Sequence, residues 1–101
     1  MYLDELADRR LEELVSRGRS GRLSLPPAEL RSLPPAIGKR VVRRALQEAG
    51  VDARRITSKH VEAVLDLARG GSGRRVDLPG RLRARRERSK LILERGDRDR
   101  A

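Results

Sequence analysis

The densest group of chemically active side chains lies between Arg74 and Lys90, where 8 of 17 residues are Lys or Arg and only Asp77 and Glu87 are acidic. Within it, Arg81, Arg83 and Arg85 alternate with Leu82 and Ala84. On a strand that spacing puts the three guanidiniums on one face, at a repeat of about 6.6 Å. Each guanidinium is a planar fork suited to taking two phosphate oxygens at once. Arg74, Arg75 and Arg86 extend the cluster, and Lys39, Arg40, Arg43 and Arg44 form a second one at helical spacing. These ten residues are the candidate contacts to a polyanion. A solvated outer sheet face, with Arg guarding the edge strands, is the alternative reading of the same pattern.

Other chemistries find little support. His60 is the only histidine and there is no cysteine, so a Cys/His nucleophile pair, a multi-histidine metal site and a disulfide are all excluded. His60 itself falls in the first turn of an expected helix, as a surface or boundary residue. Gly70-Gly71-Ser72-Gly73 is the one Gly-rich loop, but it leaves a helix and lacks the Gly-Lys-Ser/Thr ending of a phosphate-binding loop. It reads as a helix-to-strand connection. The carboxylates gather on the first helix as a solvated face. No catalytic, cofactor-binding or metal-binding residue can be assigned.

The composition agrees with a binding role. Lys and Arg number 25 against 15 acids, a formal net charge of +10, and the isoelectric point is near 11.5. A small domain this basic carries the electrostatic footprint of a nucleic-acid binder. Every basic residue except Lys39, Lys59 and Lys90 is Arg, a preference that GC-rich coding also produces. Tyr2 is the sole aromatic, so stacking of bases on rings is nearly unavailable and single-strand readers are disfavoured. The expected ligand is therefore the phosphates and 2′-hydroxyls of a folded, double-helical RNA. Affinity should fall with salt by a slope of about 0.9 per phosphate neutralised. No apolar run approaches the roughly 18 residues of a membrane span, and the acidic N-terminus does not resemble a signal peptide. Cytoplasmic location without membrane contact is expected.

The elements that must position these residues can be read from periodicity and punctuation. Leu3, Leu6, Ala7, Leu11, Leu14 and Val15 predict a helix over 2–17 that stops at Gly18. Leu23-Ser24-Leu25 runs extended into Pro26-Pro27, and one or two helical turns follow over 27–32. Ile37, Val41, Val42, Ala45, Leu46 and Ala49 predict a helix over 35–49 with Gly50 at its C′ position. Val61, Val64, Leu65 and Ala68 predict another over 58–69, capped by Thr57 or Ser58. After Gly73 the period changes to two, and three short strands follow with a turn at Pro79-Gly80. The expected fold class is α+β, three main helices followed by a small three-stranded antiparallel meander. The expected organisation is an acidic helix and loop over 1–22, a binding domain over 23–94 and a disordered tail over 95–101. The first helix is also a candidate homodimer surface.

Three segments carry a family likeness: Leu30 to Leu46, with Leu33-Pro34-Pro35 opening an Arg-rich helix; Ile56 to Leu67, a threonine-started helix bearing His60; and Gly73 to Gly80, ending Leu78-Pro79-Gly80, followed by the basic strand Leu82 to Arg86 and by Leu91-Ile92-Leu93. In order and spacing this resembles the domain that follows the catalytic domain of the tRNA(Ile)-lysidine synthetases. The likeness covers about residues 25–94. It implies tRNA(Ile) as partner, and a bacterial parent enzyme that uses ATP and magnesium to attach lysine to the wobble cytidine. That parent's Ser-Gly-Gly-x-Asp-Ser pyrophosphatase loop has no counterpart here, so the implied catalytic domain would be a further partner and this chain itself needs no cofactor. The turn Glu87-Arg88-Ser89 also lacks the aromatic residue common there. The competing reading is a protein-interaction module that docks on a partner domain without touching RNA.

Overall fold

The computed structural model describes residues 2–70 and 74–96. Two proline pairs and two glycines set the helical boundaries. Helix α1 (Tyr2–Leu14) is followed by strands β1 (Ser16–Arg17) and β2 (Leu23–Leu25). Pro27 and Pro35 each occupy the first turn of a helix, α2 (Pro27–Ser32) and α3 (Pro35–Glu48), where the missing N–H costs nothing. Helix α3 ends as its glycine predicts. Gly50 has φ +111°, its N–H donates to the Gln47 carbonyl and the Val51 N–H reaches back to Leu46, each at 3.0 Å. This pair of bonds is a Schellman stop, with the buried Val51 closing it.

Helix α4 (Ser58–Arg69) begins at Thr57, whose hydroxyl accepts from the His60 N–H, while the His60 ring accepts from the Thr57 N–H. Histidine here fills the place that Glu or Gln takes in a capping box. His60 thus has a definite structural duty at the helix start.

The sheet has five strands. To β1 and β2 it adds β3 (Arg75–Leu78), β4 (Leu82–Glu87) and β5 (Lys90–Arg95), in the antiparallel order β1-β2-β5-β4-β3. The expected meander β3-β4-β5 is present, but it is extended by a hairpin from the N-terminal part of the chain. Leu25 stands opposite Leu91 and Leu23 opposite Leu93. Helix α1 also stops three residues short of the expected end, because Ser16 and Arg17 pair with Ser24 and Leu23 instead. The apolar run Leu14-Val15 hides that change of period. Arg95 belongs to β5, and the remainder of the expected tail, 97–101, lies outside the described residues, as do Gly71, Ser72 and Gly73.

The inner sheet face carries Leu23, Leu25, Leu78, Leu82, Ala84, Leu91 and Leu93, all buried. Helix α4 lies on it and contacts β3 and β4, while α2 packs on α4 and α1 on α3. Each fully buried leucine contributes roughly 1.5–3 kcal/mol. Ala7 and Leu11 of α1 and β1's pairing with β2 tie residues 2–22 into this same core.

Candidate nucleic-acid interface

The two basic clusters proposed from sequence meet different fates. On α3, Arg40 pairs with Asp4 and Arg44 with Asp8 of α1, each at 3.2 Å, and Lys39 lies 3.4 Å from Glu62 of α4. Arg43 donates to the Ile56 carbonyl. Packing α1 on α3 brings the acidic helix against the basic one, so the polarity expected between them is largely cancelled. Distant elements do the cancelling, and local counting cannot see it.

The sheet segments keep their charge. Residues 16–25 and 74–96 hold 12 basic and three acidic side chains, whereas residues 2–15 and 26–70 hold 11 basic and ten acidic ones. Nearly all of the net +10 therefore sits on the sheet layer.

Strand parity and register decide which of these side chains share the outer face. Arg83 and Arg85 do, opposite the buried Leu82 and Ala84. Arg85 stands opposite Arg75 of β3 and Ile92 of β5, and Arg83 opposite Asp77 and Glu94. The expected row of three is shortened at Arg81. That residue has φ +62° and sits in the Pro79-Gly80-Arg81 turn, its carbonyl accepting from the Gly96 N–H. Arg75 on the neighbouring strand supplies a third cation of the face instead. Among the described residues, Arg74, Arg75, Arg81, Arg88 and Lys90 have no carboxylate within 4 Å.

Arg83 and Arg85 are partly neutralised. Arg83 lies 3.3 Å from Asp77. Arg85 lies 2.7 Å from Glu94 and is also hydrogen-bonded to Glu87, and these contacts, Glu94 first, raise its pKa above the usual guanidinium value. The same hydrogen bond from Arg85 holds the Glu87 carboxyl below the ordinary carboxylate range.

Arg86 has inner-face parity. Its Nη1 lies 2.8 Å from the Leu67 carbonyl, 2.9 Å from that of Ala68 and 2.8 Å from that of Gly70, and Arg31 donates to Ala68 as well. Two guanidiniums therefore close the carbonyl end of α4, where cations are favoured. The guanidinium of Arg86 is engaged with the protein's own backbone.

Local sequence reading misses Arg17, Arg19 and Arg22. The β1–β2 hairpin brings Arg19 and Arg22 beside the outer face, while Arg17 stands opposite the buried Leu23; their Gly-bearing stretch reads locally as a plain loop. Arg17 bridges Glu12 and Glu48, which lowers the Glu12 pKa chiefly through its hydrogen bond. Arg19 has no carboxylate partner among the described residues, and Arg22 has only Glu94 at 3.8 Å.

No group of three or more His, Asp or Glu that could hold a metal ion occurs among the described residues, and no described helix is long and apolar enough to cross a membrane. Among the described residues nothing fits ATP or magnesium: Gly70 caps the C-terminal end of α4, not the N-terminal end that favours phosphates.

A helix layer covering one side of an antiparallel sheet whose segments carry most of the net charge defines a small basic α+β domain. Residues 25–92 match the family described as TilS substrate binding domain, and the chain belongs to that family. It is 39% identical over 70 residues to a tRNA(Ile)-lysidine synthase of Streptomyces coelicolor, covering 68% of this chain and 20% of that protein. A tRNA(Ile)-lysidine synthase of Thermobifida fusca is 38% identical over 92 residues, 90% of this chain and 27% of the relative. One from Solibacter usitatus is 38% identical over 74 residues, 72% and 17% respectively. The chain thus matches only 17–27% of the length of these relatives.

Proposed function

We propose that this chain grips folded tRNA(Ile) for a tRNA(Ile)-lysidine synthetase, in the cytoplasm. It presents the wobble cytidine to a separate catalytic domain that attaches lysine using ATP and magnesium. The observation that carries this reading is the segregation of charge onto the sheet layer. Arg74, Arg75, Arg81, Arg83 and Arg85 supply the main grip, with Lys39, Arg40, Arg43 and Arg44 in a lesser role because acids or carbonyls already hold them. Affinity comes mainly from phosphate contacts and is salt-dependent. Aromatic stacking has no part in it.

Binding of a folded tRNA(Ile) transcript by the purified chain, followed from 50 to 200 mM salt, tests the reading. Replacing Arg74, Arg75 and Arg81 with Gln should flatten the log–log salt slope by about 0.9 for each phosphate that is no longer neutralised. The triple change Lys39→Gln, Arg43→Gln and Arg44→Gln should alter it less. Wild-type binding no stronger than that of a basic control protein overturns the proposal.

The competing reading, a domain-docking module, draws on the start of α1, where Tyr2 is 74% and Leu3 37% exposed. Such an apolar end suits contact with the neighbouring catalytic domain and is compatible with an RNA grip on the opposite layer.

A further inference from the structure

The β1–β2 hairpin closes on a left-handed turn. Ser20 has φ +59° and Gly21 φ +78°. The Arg22 N–H donates to the Arg19 carbonyl at 3.0 Å, and the Gly18 N–H donates to the Arg22 carbonyl at 2.7 Å. Gly18 and Arg19 together oppose the single residue Arg22, the two-against-one arrangement of a bulge. Such bulges re-aim side chains at sheet edges. Here Arg19 and Arg22 both line one depression of about 400 Å³, with Arg17 and Lys90 also on its wall and Ser16 and Ser24 within it.

Its lining contains four cations and no carboxylate. Arg17 is committed to Glu12 and Glu48. Arg19, Arg22 and Lys90 are left to meet a ligand: among the described residues Glu94 lies 3.8 Å from Arg22 but 2.7 Å from Arg85, and Glu87, which stands opposite Lys90, is hydrogen-bonded to Arg85. Ser16 stands opposite Ser24, Ser24 opposite Ile92, Ile92 opposite Arg85 and Arg85 opposite Arg75. One row thus crosses the whole outer face, about 19 Å at the usual strand spacing, from the depression to the exposed Arg75.

We infer that the hairpin depression is a second phosphate subsite of the RNA face, in which Arg19, Arg22 and Lys90 hold a backbone phosphodiester. This rests on the RNA-binding reading above and extends it by naming a site at the sheet edge away from Arg75. Two guanidinium forks and one ammonium around a pair of hydroxyls form a donor-rich surface for non-bridging phosphate oxygens. A phosphate there and another at Arg75 would fix the orientation of the RNA across the strands. Phosphate contacts of this kind set register without reading sequence.

The triple variant Arg19→Gln, Arg22→Gln and Lys90→Gln tests it, with the folded tRNA(Ile) transcript as probe. At 100 mM salt affinity should fall roughly tenfold and the salt slope should flatten by about 0.9, the value for one phosphate. The unfolding midpoint should hold, because none of the three has a short ion pair. A second measurement on the unaltered protein uses the Lys90 amine, which tRNA should protect from acylation. An unchanged affinity and slope in the variant, or a Lys90 equally reactive with and without tRNA, overturns the subsite. If the Arg74, Arg75 and Arg81 variant still loses binding, the wider reading stands without it. A wild-type chain that does not bind tRNA overturns both.

Discussion

Nη1 of Arg86, on β4, lies 2.8 Å from the carbonyl oxygen of Gly70, one residue beyond α4. The same nitrogen is within reach of the Leu67 and Ala68 carbonyls, so one side chain ties the sheet to the end of the helix that covers it. Local counting groups Arg86 with the RNA contacts because five Arg occur between 81 and 88. Parity separates it from Arg83 and Arg85. Arg86→Ala should cost about 1.5–3 kcal/mol, the range for hydrogen bonds to a charged group. Arg86→Lys should recover only part, since an ammonium cannot reproduce the fork. Chemical denaturation of the two variants measures this. Stability equal to wild type in Arg86→Ala would mean that these hydrogen bonds contribute nothing.

Thr57 and His60 make a reciprocal pair at the start of α4. Removing an N-cap hydroxyl costs about 1 kcal/mol, so Thr57→Ala should lower the unfolding midpoint by roughly 4–8 °C in a domain this size. His60→Gln should be close to neutral, because Gln is a usual third-position partner in a capping box. His60→Ala should fall between the two. Thermal unfolding by circular dichroism ranks the three, and a His60→Gln variant as weak as His60→Ala would refute the assignment.

The parts of this fold visible in sequence are those whose boundaries are chemical and local. Pro35 with Gly50, and Thr57 with Gly70, bracket α3 and α4 so tightly that period alone places their buried faces. Leu78-Pro79-Gly80 does the same for the turn between β3 and β4. The hairpin is hidden for two reasons. Ser16 and Arg17 follow the apolar pair Leu14-Val15 without any breaker. Strand β2 is only three residues long, and α2, α3 and α4 all lie between it and its partner β5 in the chain. The candidate face is half legible. A count of Arg finds the β3–β5 cluster, but only the tertiary packing of Asp4 on Arg40 and Asp8 on Arg44 shows that the α3 cluster is neutralised.

Ile92 is an apolar residue on the polar side of the sheet. Its cross-strand neighbours are Ser24 and Arg85, yet it is 0% exposed. Arginine stems can cover apolar surface while their heads stay in water, and Arg85 and Arg22 are placed to do so. Ile92→Ala should therefore behave as a core truncation, costing about 2–5 kcal/mol. Ile92→Val should cost about 0.5–1.5 kcal/mol. Urea midpoints at constant m-value measure both. A loss under about 0.5 kcal/mol for Ile92→Ala would show that the arginine canopy does not shield the site.

On the proposed RNA face, Glu87 and Glu94 would compete with RNA for Arg85. The Glu87 carboxyl is held below its ordinary range, first by the hydrogen bond from Arg85. A carboxyl depressed in the folded state contributes stability that is present above its unfolded pKa, near 4.3, and is lost as pH falls through the lower folded value. The wild-type unfolding midpoint should thus drop more steeply below about pH 4.3 than that of Glu87→Gln, which has no such proton to take up. The RNA effect has the opposite sign. Removing a carboxylate frees Arg85 from an exposed ion pair and removes one negative charge from the face. Glu87→Gln with Glu94→Gln should therefore bind tRNA more tightly at neutral pH, by about threefold, a small factor because exposed pairs are weak. Filter binding at fixed salt measures it. A double variant that binds no better than wild type would mean that Arg85 keeps its acids when RNA arrives, leaving Arg75 and its unpaired neighbours to make the grip.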